Sequence, residues 1–141
     1  YRLSPRSSMA QYLIHELAKK VGVSTDTIRF YEKKHLLNPS FRAENNYRYY
    51  NDDALKRLIF IKRCRALDMN LKEIEALIEL EKQPKQNCCA VNELIDEHLR
   101  HVADKIAELQ HFQLQLQQLR QACTTQTTID DCQILKRLEA E

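Results

Sequence analysis

The first third of the chain contains two short segments whose apolar residues follow the helical period. Four residues share one face of the first segment: Leu13, Leu17, Ala18 and Val21. Gly22 then supplies a helix stop. In the second segment, Ser24 is a suitable N-cap for a predicted helix Thr25–Lys34, and Ile28 and Tyr31 are three residues apart. Two short helices joined by a tight turn predict a helix-turn-helix.

The pattern becomes β-prone after the second helix. Pro39 is expected to end that helix, and Glu44–Asn46 separates Phe41-Arg42 from Tyr47–Tyr50. Asn tolerates left-handed backbone conformations, so this turn can close a hairpin without Gly. Basic and aromatic residues alternate along the hairpin, which suits a wing beside a DNA duplex with Arg side chains at phosphates.

Two more amphipathic helices follow the hairpin. Asn51 or Asp52 caps a predicted helix Ala54–Leu67, and Asn70 caps a predicted helix Leu71–Glu81. The outer face of the second of these helices is acidic. The outer face of the first is basic, formed by Lys56, Arg57, Lys62, Arg63 and Arg65.

Residues 91–120 contain no Gly or Pro, and their apolar residues recur every three or four positions. The stripe comprises Ile95, Leu99, Val102, Ile106, Leu109, Phe112, Leu116, Leu119 and Cys123. A helix of this length spans roughly 45 Å, too long to bury the stripe against the preceding domain. A second copy of the same helix is the simplest partner, so the stripe predicts a homodimer.

Charge divides the chain into two halves. Residues 1–65 contain 14 Lys and Arg against 6 Asp and Glu, whereas residues 66–141 contain 8 against 14. A basic N-terminal half suits a polyanion such as DNA. The sequence has no apolar run of the ~18 residues that cross a bilayer, and it lacks a signal-peptide core. We therefore expect a soluble, cytoplasmic protein with no membrane partner.

Five cysteines supply the candidate chemistry: Cys64, Cys88, Cys89, Cys123 and Cys132. An odd number without a secretory signal favours reduced thiols, available as metal ligands or redox groups, over a disulfide framework. Cys64 lies among apolar residues of a predicted helix and is expected in the core. Residues 124–131 include four Thr and are predicted to form a loop between Cys123 and Cys132.

The predicted long helix separates Cys88 from Cys123, so one chain cannot bring them to the same ion. If two helices pair antiparallel, Cys88 of one subunit meets Cys123 and Cys132 of the other, and the dimer has two equivalent sites. Core packing is the alternative for Cys123, because it continues the apolar stripe. Cys89 is either an additional ligand or a neighbour of Cys88.

Thiolates favour soft or borderline ions over Mg(II) or Ca(II). Three sulfur ligands fit Pb(II), Cd(II) or Hg(II), whereas Zn(II) usually has four donors. His98 and His101 share a helical face and are possible extra ligands, although solvated surface histidines are the more common case.

These elements predict a mainly α fold: an N-terminal winged helix-turn-helix, a long antiparallel coiled-coil dimerisation helix and a short C-terminal metal-binding loop. The expected division begins with a tail or expression remnant at residues 1–8. The DNA-binding domain follows at residues 9–81, and a linker at residues 82–90. The dimerisation helix is expected at residues 91–122, and the metal-binding loop with a C-terminal helix at residues 123–141.

The segments IHELAKKVGVSTDTIRFYEKKHLL and FRAENNYRYY resemble the helix-turn-helix and wing of the MerR family of metal-responsive regulators. The resemblance extends from about Tyr12 to Leu138, and IRFYE is its most specific marker. Asn46 occupies a wing-turn position where the family usually has Gly. The resemblance implies that DNA is contacted by Arg29, Tyr31, Arg42, Tyr47 and Arg48.

CCAVNELIDEHLRHV, followed by C-x8-C, is similar to the cadmium- and lead-responsive branch of that family. This similarity implies that Cys88, Cys123 and Cys132 are the metal ligands, with Pb(II) or Cd(II) as effector. The mercury branch has similar cysteine spacing. The zinc branch tends to have paired cysteines and a histidine in the loop, which contains no His here. Hg(II) and Zn(II) remain alternative effectors.

The resemblance also implies a mechanism. The apo dimer bends and represses a promoter with a long spacer, and metal binding then kinks and undertwists this DNA. RNA polymerase responds to the altered DNA rather than to a direct contact, and the target is an efflux or sequestration operon.

Other functions receive less support from the residues. A thiol redox sensor would use the same cysteines. A drug sensor needs a large C-terminal ligand domain, and an enzyme would need a Cys–His pairing or a phosphate-binding loop, none of which the sequence suggests. A purely architectural dimer, with structural metal, is distinguished by repression that added metal does not change.

Overall fold

The computed structural model describes most of the chain. The described residues are 10–38, 41–42 and 47–140. The side chain of Arg42 is not included. The predictions for the tail at residues 1–8, for Pro39 and for the turn Glu44–Asn46 lie outside the described residues. The described chain divides into two compact units, one ending at Leu94 and the other beginning at Ile95.

Helices dominate the described residues, with one short antiparallel hairpin. The α-helices are α1 (Ile14–Val21), α2 (Thr25–Lys33), α3 (Asp52–Ala66), α4 (Leu71–Glu81), α5 (Cys89–Gln121) and α6 (Gln133–Glu139). The strands are β1 (Phe41–Arg42) and β2 (Arg48–Tyr49). A single 3-10 turn, Ile129–Asp131, precedes α6. The predicted mainly helical fold, with an N-terminal helix-turn-helix and a long C-terminal helix, is confirmed.

Local capping explains where the first two helices begin and end. Glu16 in the first turn of α1 accepts a hydrogen bond from the backbone N–H of Leu13 at 2.8 Å. Gly22 ends α1 in the left-handed region, at φ +82°, and its N–H donates to the Ala18 carbonyl. The predicted cap Ser24 accepts from the Thr27 N–H at 3.0 Å.

Helix α2 ends at Lys33, one residue before the predicted end and well before Pro39. His35 adopts a left-handed conformation at φ 62°, and this conformation reverses the chain direction. The expectation that Pro39 ends the helix is therefore wrong. The reversal brings Leu36 and Leu37 into the core, where each is nearly inaccessible to solvent.

The next two helices closely match their predicted positions. Helix α3 begins at Asp52, two residues before the predicted start, because the side chain of Asn51 caps the Ala54 N–H at 3.0 Å. Helix α4 has the predicted bounds and the predicted cap Asn70. Glu73 completes a reciprocal capping box with Asn70, in which each side chain accepts from the other residue's backbone N–H.

The N-terminal unit buries two apolar clusters. The first joins α1, α2, the end of the hairpin and the start of α3: Leu17, Ala18, Val21, Ile28, Leu37, Tyr50, Ala54 and Leu58. The second joins the rest of α3 to α4: Leu36, Ile61, Cys64, Met69, Ile74 and Ile78. Half-buried Tyr31 packs against both clusters. Helix α2 is therefore attached to a core that extends through both pairs of helices.

Helix α5 differs from the other long helices because none of its side chains is buried. It begins at Cys89, two residues before the predicted start, so Cys89 is a helical residue. At ~1.5 Å rise per residue, its 33 residues extend about 50 Å. Within the described residues, no helix has both the length and the hydropathy that a bilayer crossing requires.

Candidate nucleic-acid interface and metal-binding cysteines

The turn between α1 and α2 is held by one lysine from α3. The Lys62 ammonium donates to the Val21 carbonyl at 2.7 Å, at the C-terminus of α1. An added Cβ at Gly22 would lie 2.9 Å from that Nζ atom, in a backbone conformation that is already strained for other residues. Lys62 was predicted as part of a basic surface, but its ammonium is engaged with the fold.

Helix α2 presents its charged residues to solvent. Arg29 is exposed, and its guanidinium is 3.2 Å from the carboxylate of Asp26 one turn earlier. Such exposed pairs contribute little to stability and are easily exchanged for a stronger anion such as a phosphate. Tyr31 was predicted as a DNA contact, yet most of its ring packs against the core. The structure therefore gives Tyr31 a packing role alongside any contact made by its exposed part.

The wing is a short hairpin anchored at its base. Phe41 pairs with Tyr49, and Arg42 pairs with Arg48, in antiparallel register. At the base of the hairpin, next to β2, Tyr50 exchanges two backbone hydrogen bonds of 2.8 Å with Tyr12. Phe41 and Tyr49 also bring their rings to 6.2 Å between centroids. Backbone pairing therefore holds the two strands together and attaches the base of the hairpin to Tyr12. The tip of the hairpin lies outside the described residues.

The hydroxyl of Tyr12 joins this base to helix α3. It donates to Asp52 Oδ1 at 2.7 Å, in the first turn of α3. This hydrogen bond raises the pKa of the Tyr12 phenol, because the neutral hydroxyl is the donor; burial and the nearby negative charge act in the same direction. The segment before α1 therefore links the wing to the second pair of helices.

Glu32 joins the wing to helix α2, a role that was not predicted from the sequence. Its carboxylate accepts from Arg48 Nη2 at 2.6 Å and from the Tyr50 hydroxyl at 2.8 Å. Glu32 is within the IRFYE segment, but its partners are 16 and 18 residues away. A contact at this separation depends on tertiary structure, so no local pattern could have identified it.

The basic face of α3 is partly used inside the fold. Arg65 donates to the Met69 carbonyl at 2.8 Å, and Arg57 forms a 3.1 Å ion pair with Glu81. Lys56 and Arg63 are exposed. Lys62 and Arg65 are also exposed, so the predicted basic surface is retained, although Lys62, Arg65 and Arg57 each also bind a group of the fold.

Cys64 belongs to the core, as predicted. It is buried in the second apolar cluster with Ile61 and Ile74. Burial raises the pKa of its thiol, since the surrounding apolar side chains do not solvate a thiolate. A protonated, enclosed thiol is a poor metal ligand, so Cys64 is separated chemically from the other four cysteines.

Cys88 and Cys89 are exposed at the start of α5. The Asn87 side chain accepts from the Cys89 N–H at 3.0 Å, and Cys88 accepts the first helical hydrogen bond from the Asn92 N–H at 2.9 Å. The Asn92 side-chain amide also lies 3.9 Å from Cys88 Sγ and donates toward it. Helix N-termini favour nearby negative charge, which suits a thiolate at this position.

Cys123 and Cys132 line the same open cleft in the C-terminal unit. The Cys123 thiol donates to the Thr125 carbonyl at 3.6 Å, and the Cys132 N–H donates to the Ile129 carbonyl at 3.1 Å in the 3-10 turn. Among described residues, the lining of this cleft includes two thiols but no carboxylate or imidazole. A soft ion fits such donors better than Mg(II) or Ca(II) does.

The candidate extra metal ligands His98, His101 and Cys89 lie at different distances along α5 from Cys88. The rings of His98 and His101 are 6.3 Å apart between centroids and nearly perpendicular. Cys88 precedes them by 10 and 13 residues, about three turns of helix or more. Cys89 is adjacent to Cys88 but projects from the helix in a different direction.

Two family models match the chain. The model described as MerR HTH family regulatory protein matches residues 12–81. The model described as MerR, DNA binding matches residues 55–119. The first includes the helix-turn-helix, the wing and the helices α3 and α4, and the second continues along most of α5.

Three known proteins show how far the similarity extends. The HTH-type transcriptional regulator ZntR of Escherichia coli K12 is 38% identical over 131 residues, covering 91% of this chain and 92% of that protein. The crystal structure of the transcription regulator PbrR691 from Ralstonia metallidurans CH34 in complex with lead(II) is 42% identical. It has a TM-score of 0.75 and covers 90% of this chain and 98% of its own.

The third is the transcriptional regulator MerR from Bacillus megaterium MB1 in complex with mercury(II). Its crystal structure has a TM-score of 0.66 at 27% identity, covering 92% of this chain and 100% of that one. The similarity to both metal complexes therefore extends over about nine tenths of this chain.

Proposed function

The chain belongs to the MerR HTH family of regulatory proteins, and from this membership we propose that it is a metal-responsive transcriptional regulator. It binds promoter DNA as a homodimer and takes up a soft metal ion through cysteine thiolates. The observation that carries the proposal is the placement of the thiols. Cys64 is enclosed in the core, whereas Cys123 and Cys132 share an open cleft and Cys88 is exposed.

Dimerisation is proposed from the exposed face of α5. Its apolar side chains include Ile106, Leu109, Phe112 and Leu116, which line one shallow groove along the helix. Contiguous apolar surface of this kind is rare on a monomer, because water disfavours it. A second α5 packed antiparallel would cover the groove and give an isologous interface.

The antiparallel pairing also completes the metal site. Helix α5 separates Cys88 from Cys123 by about 50 Å within one chain. Pairing the helices in opposite directions brings Cys88 of one subunit to Cys123 and Cys132 of the other. Two equivalent three-sulfur sites then form, one at each end of the dimer, and metal binding depends on quaternary structure.

Pb(II) or Cd(II) is the proposed effector, with Hg(II) and Zn(II) as alternatives. Three thiolates form a low-coordinate, soft site, while Zn(II) normally completes a tetrahedron. The lead(II) complex of PbrR691, at 42% identity, supports the first choice, and the mercury(II) complex of a more distant relative supports the third.

DNA binding is proposed for residues of α2 and the wing. Arg29 and Tyr31 approach the duplex from α2, and the wing contributes Arg42, Tyr47 and Arg48. Metal then changes transcription by shifting the balance between two DNA conformations whose deformation energies differ by a few kcal/mol. Metal needs to supply only a differential affinity for the two states, and RNA polymerase responds to the DNA.

The domain division follows from these roles. We propose a DNA-binding domain at residues 9–81, a linker at 82–90, a dimerisation helix at 91–122 and a metal-binding segment at 123–141.

Subunit complementation tests the shared site. A Cys88→Ser chain and a Cys123→Ser chain each lose both sites as homodimers, but their heterodimer keeps one complete site. Sulfur-to-metal absorption on titration with Pb(II), Cd(II), Hg(II) and Zn(II) measures the occupied sites and ranks the ions. Half of the dimers in an equal mixture are heterodimers with one of two sites, so about one quarter of the wild-type signal is expected for the mixture and about half for the purified heterodimer. Absence of recovery would contradict ligands shared across subunits, and a transcriptional response to mild oxidation in the absence of metal would favour a thiol redox sensor.

A further inference from the structure

Glu32 is an acidic residue among the groups proposed to contact DNA. Its side chain is only 15% exposed, and both carboxylate oxygens accept hydrogen bonds from the wing side of the domain. Arg48, one of its partners, stays 46% exposed. A carboxylate near predicted phosphate contacts opposes DNA binding through charge repulsion, so its position needs another explanation.

The hairpin needs an anchor of this kind. Each strand has two residues, and an isolated two-stranded ribbon is at best marginally stable in water. Tyr50 is buried at the base, where its backbone is bound to Tyr12. Glu32 adds two side-chain hydrogen bonds between α2 and the β2 side of the hairpin. Through them, one carboxylate fixes the wing relative to α2.

We propose that Glu32 is a positioning residue for DNA recognition, holding Arg48 and the wing at a fixed separation from helix α2. The inference rests on the proposed DNA-binding function and adds a residue that itself need not touch DNA. The carboxylate binds Nη2 of the Arg48 guanidinium, and the Arg48 side chain remains 46% exposed. A pre-ordered guanidinium loses less conformational freedom when it meets a phosphate.

A simpler role would give the opposite result. If Glu32 only neutralised Arg48, its removal would release a cation and strengthen binding to every DNA sequence. A positioning role predicts weaker binding to the preferred sequence, while binding to unrelated DNA is unchanged or stronger because one negative charge is lost. The ratio of the two affinities therefore separates the two roles.

The experiment uses the full-length dimer and Glu32→Gln, which retains an oxygen acceptor for Tyr50 but removes the charge that binds Arg48. The probes are a duplex selected by the wild-type protein from a random-sequence pool, and a scrambled duplex of equal length. Fluorescence anisotropy over a range of salt concentrations measures both affinities. Affinity for the selected duplex should fall roughly tenfold, as for loss of a charge-assisted hydrogen bond.

Two comparisons isolate the effect. Glu79→Gln removes an equal charge from an exposed pair with Lys82 and should keep the wild-type affinity ratio. In an Arg48→Gln background, Glu32→Gln should cost much less than in wild type, because its partner is already absent. The salt dependence of Glu32→Gln should be shallower by about one phosphate contact for the selected duplex.

Wild-type or higher affinity of Glu32→Gln for the selected duplex would overturn the inference. Failure of the wild-type protein to select any duplex would instead overturn the proposed function. If Glu32→Gln does not fold, Tyr50→Phe removes one of the two hydrogen bonds while keeping the buried ring. That variant should shift the affinity ratio in the same direction by a smaller factor, and an unchanged ratio would contradict the positioning role.

Discussion

The N-terminal unit and helix α5 use apolar residues in opposite ways. Up to Leu94, aliphatic side chains converge from several elements, and residues such as Leu17 and Ile61 are fully removed from solvent. Helix α5 has a comparable series of apolar residues, yet Ile106 remains 52% exposed and none of its neighbours is buried. The first region satisfies its hydrophobic surface within one chain, whereas the second requires a partner. The stability of the N-terminal unit should be independent of protein concentration, whereas the helical order of α5 should depend on protein concentration.

The largest expected effect comes from a charge in the groove of α5. Leu109→Asp would bury a carboxylate in the proposed interface, so the dimer dissociation constant should rise by at least about 100-fold. Sedimentation equilibrium measures this change. Binding to a symmetric operator should be lost together with the dimer, while the melting of the N-terminal unit stays the same.

Ala107→Asp is the matched control for this variant. Ala107 is exposed and is two residues from Leu109, about 200° around the helix. The same charge there should leave the dimer intact. A wild-type dissociation constant for Leu109→Asp would show that α5 does not pair through this groove.

An effect of comparable size is expected when one apolar residue in each region is truncated. Ile61→Ala removes a fully buried side chain and should lower the free energy of unfolding of the N-terminal unit by about 2–5 kcal/mol. Ile106→Ala should instead weaken the dimer. Urea unfolding at two protein concentrations distinguishes them, since only the loss at Ile106 should vary with concentration. If the loss of stability caused by Ile61→Ala also varied with protein concentration, the distinction between the two regions would not hold.

The buried Cys64 and the exposed Cys88 show the same contrast between the two regions in their thiol chemistry. Cys64→Ala should cost about 1–2 kcal/mol of stability and leave metal stoichiometry unchanged, because the native thiol is buried and its pKa is raised. Cys88→Ala should leave stability nearly unchanged and remove metal binding. A thiol-specific reagent should also label Cys88 much faster than Cys64. Lower metal stoichiometry in folded Cys64→Ala would contradict this separation of roles.

Local signals made much of the fold predictable. Helix α4 was predicted with its observed bounds, because the apolar period and the cap Asn70 lie within one short segment. The end of α2 was predicted to within one residue, but the left-handed conformation of His35 after it was not, since its residue type does not indicate one. The cap at Ser24 and the stop at Gly22 were predicted because both depend on neighbouring backbone groups.

The site was predictable only where residue type determines the chemistry. Cysteine identity and spacing were enough to suggest Cys88, Cys123 and Cys132 as ligands and Cys64 as core. The contact of Glu32 with Arg48 was not predictable, because it links residues 16 positions apart through the tertiary fold. For the same reason, the sequence could not show that Lys62 is bound to the end of α1.

The smallest effect concerns the hydrogen bond at the base of the wing, and it tests whether the N-terminal unit is held together as a whole. Tyr12→Phe removes the donor to Asp52 and should cost about 1 kcal/mol at neutral pH. The folded-state pKa of Tyr12 is raised above its ordinary value near 10.0, so the folded protein retains the phenolic proton longer than the unfolded chain does. This contribution is therefore fully present below about pH 10 and is lost as pH rises through the folded pKa.

Thermal melting of wild type and Tyr12→Phe from pH 7 to 11 measures this dependence. The difference in melting temperature between wild type and Tyr12→Phe should be constant below pH 10 and should shrink above pH 10. Asp52→Asn is a suitable companion, because an amide oxygen still accepts the hydrogen bond without the charge that helps raise the Tyr12 pKa. The alkaline change should then begin at lower pH. A difference between wild type and Tyr12→Phe that grows above pH 10 would mean that the folded state favours the phenolate, contrary to the hydrogen bond that joins the wing base to α3.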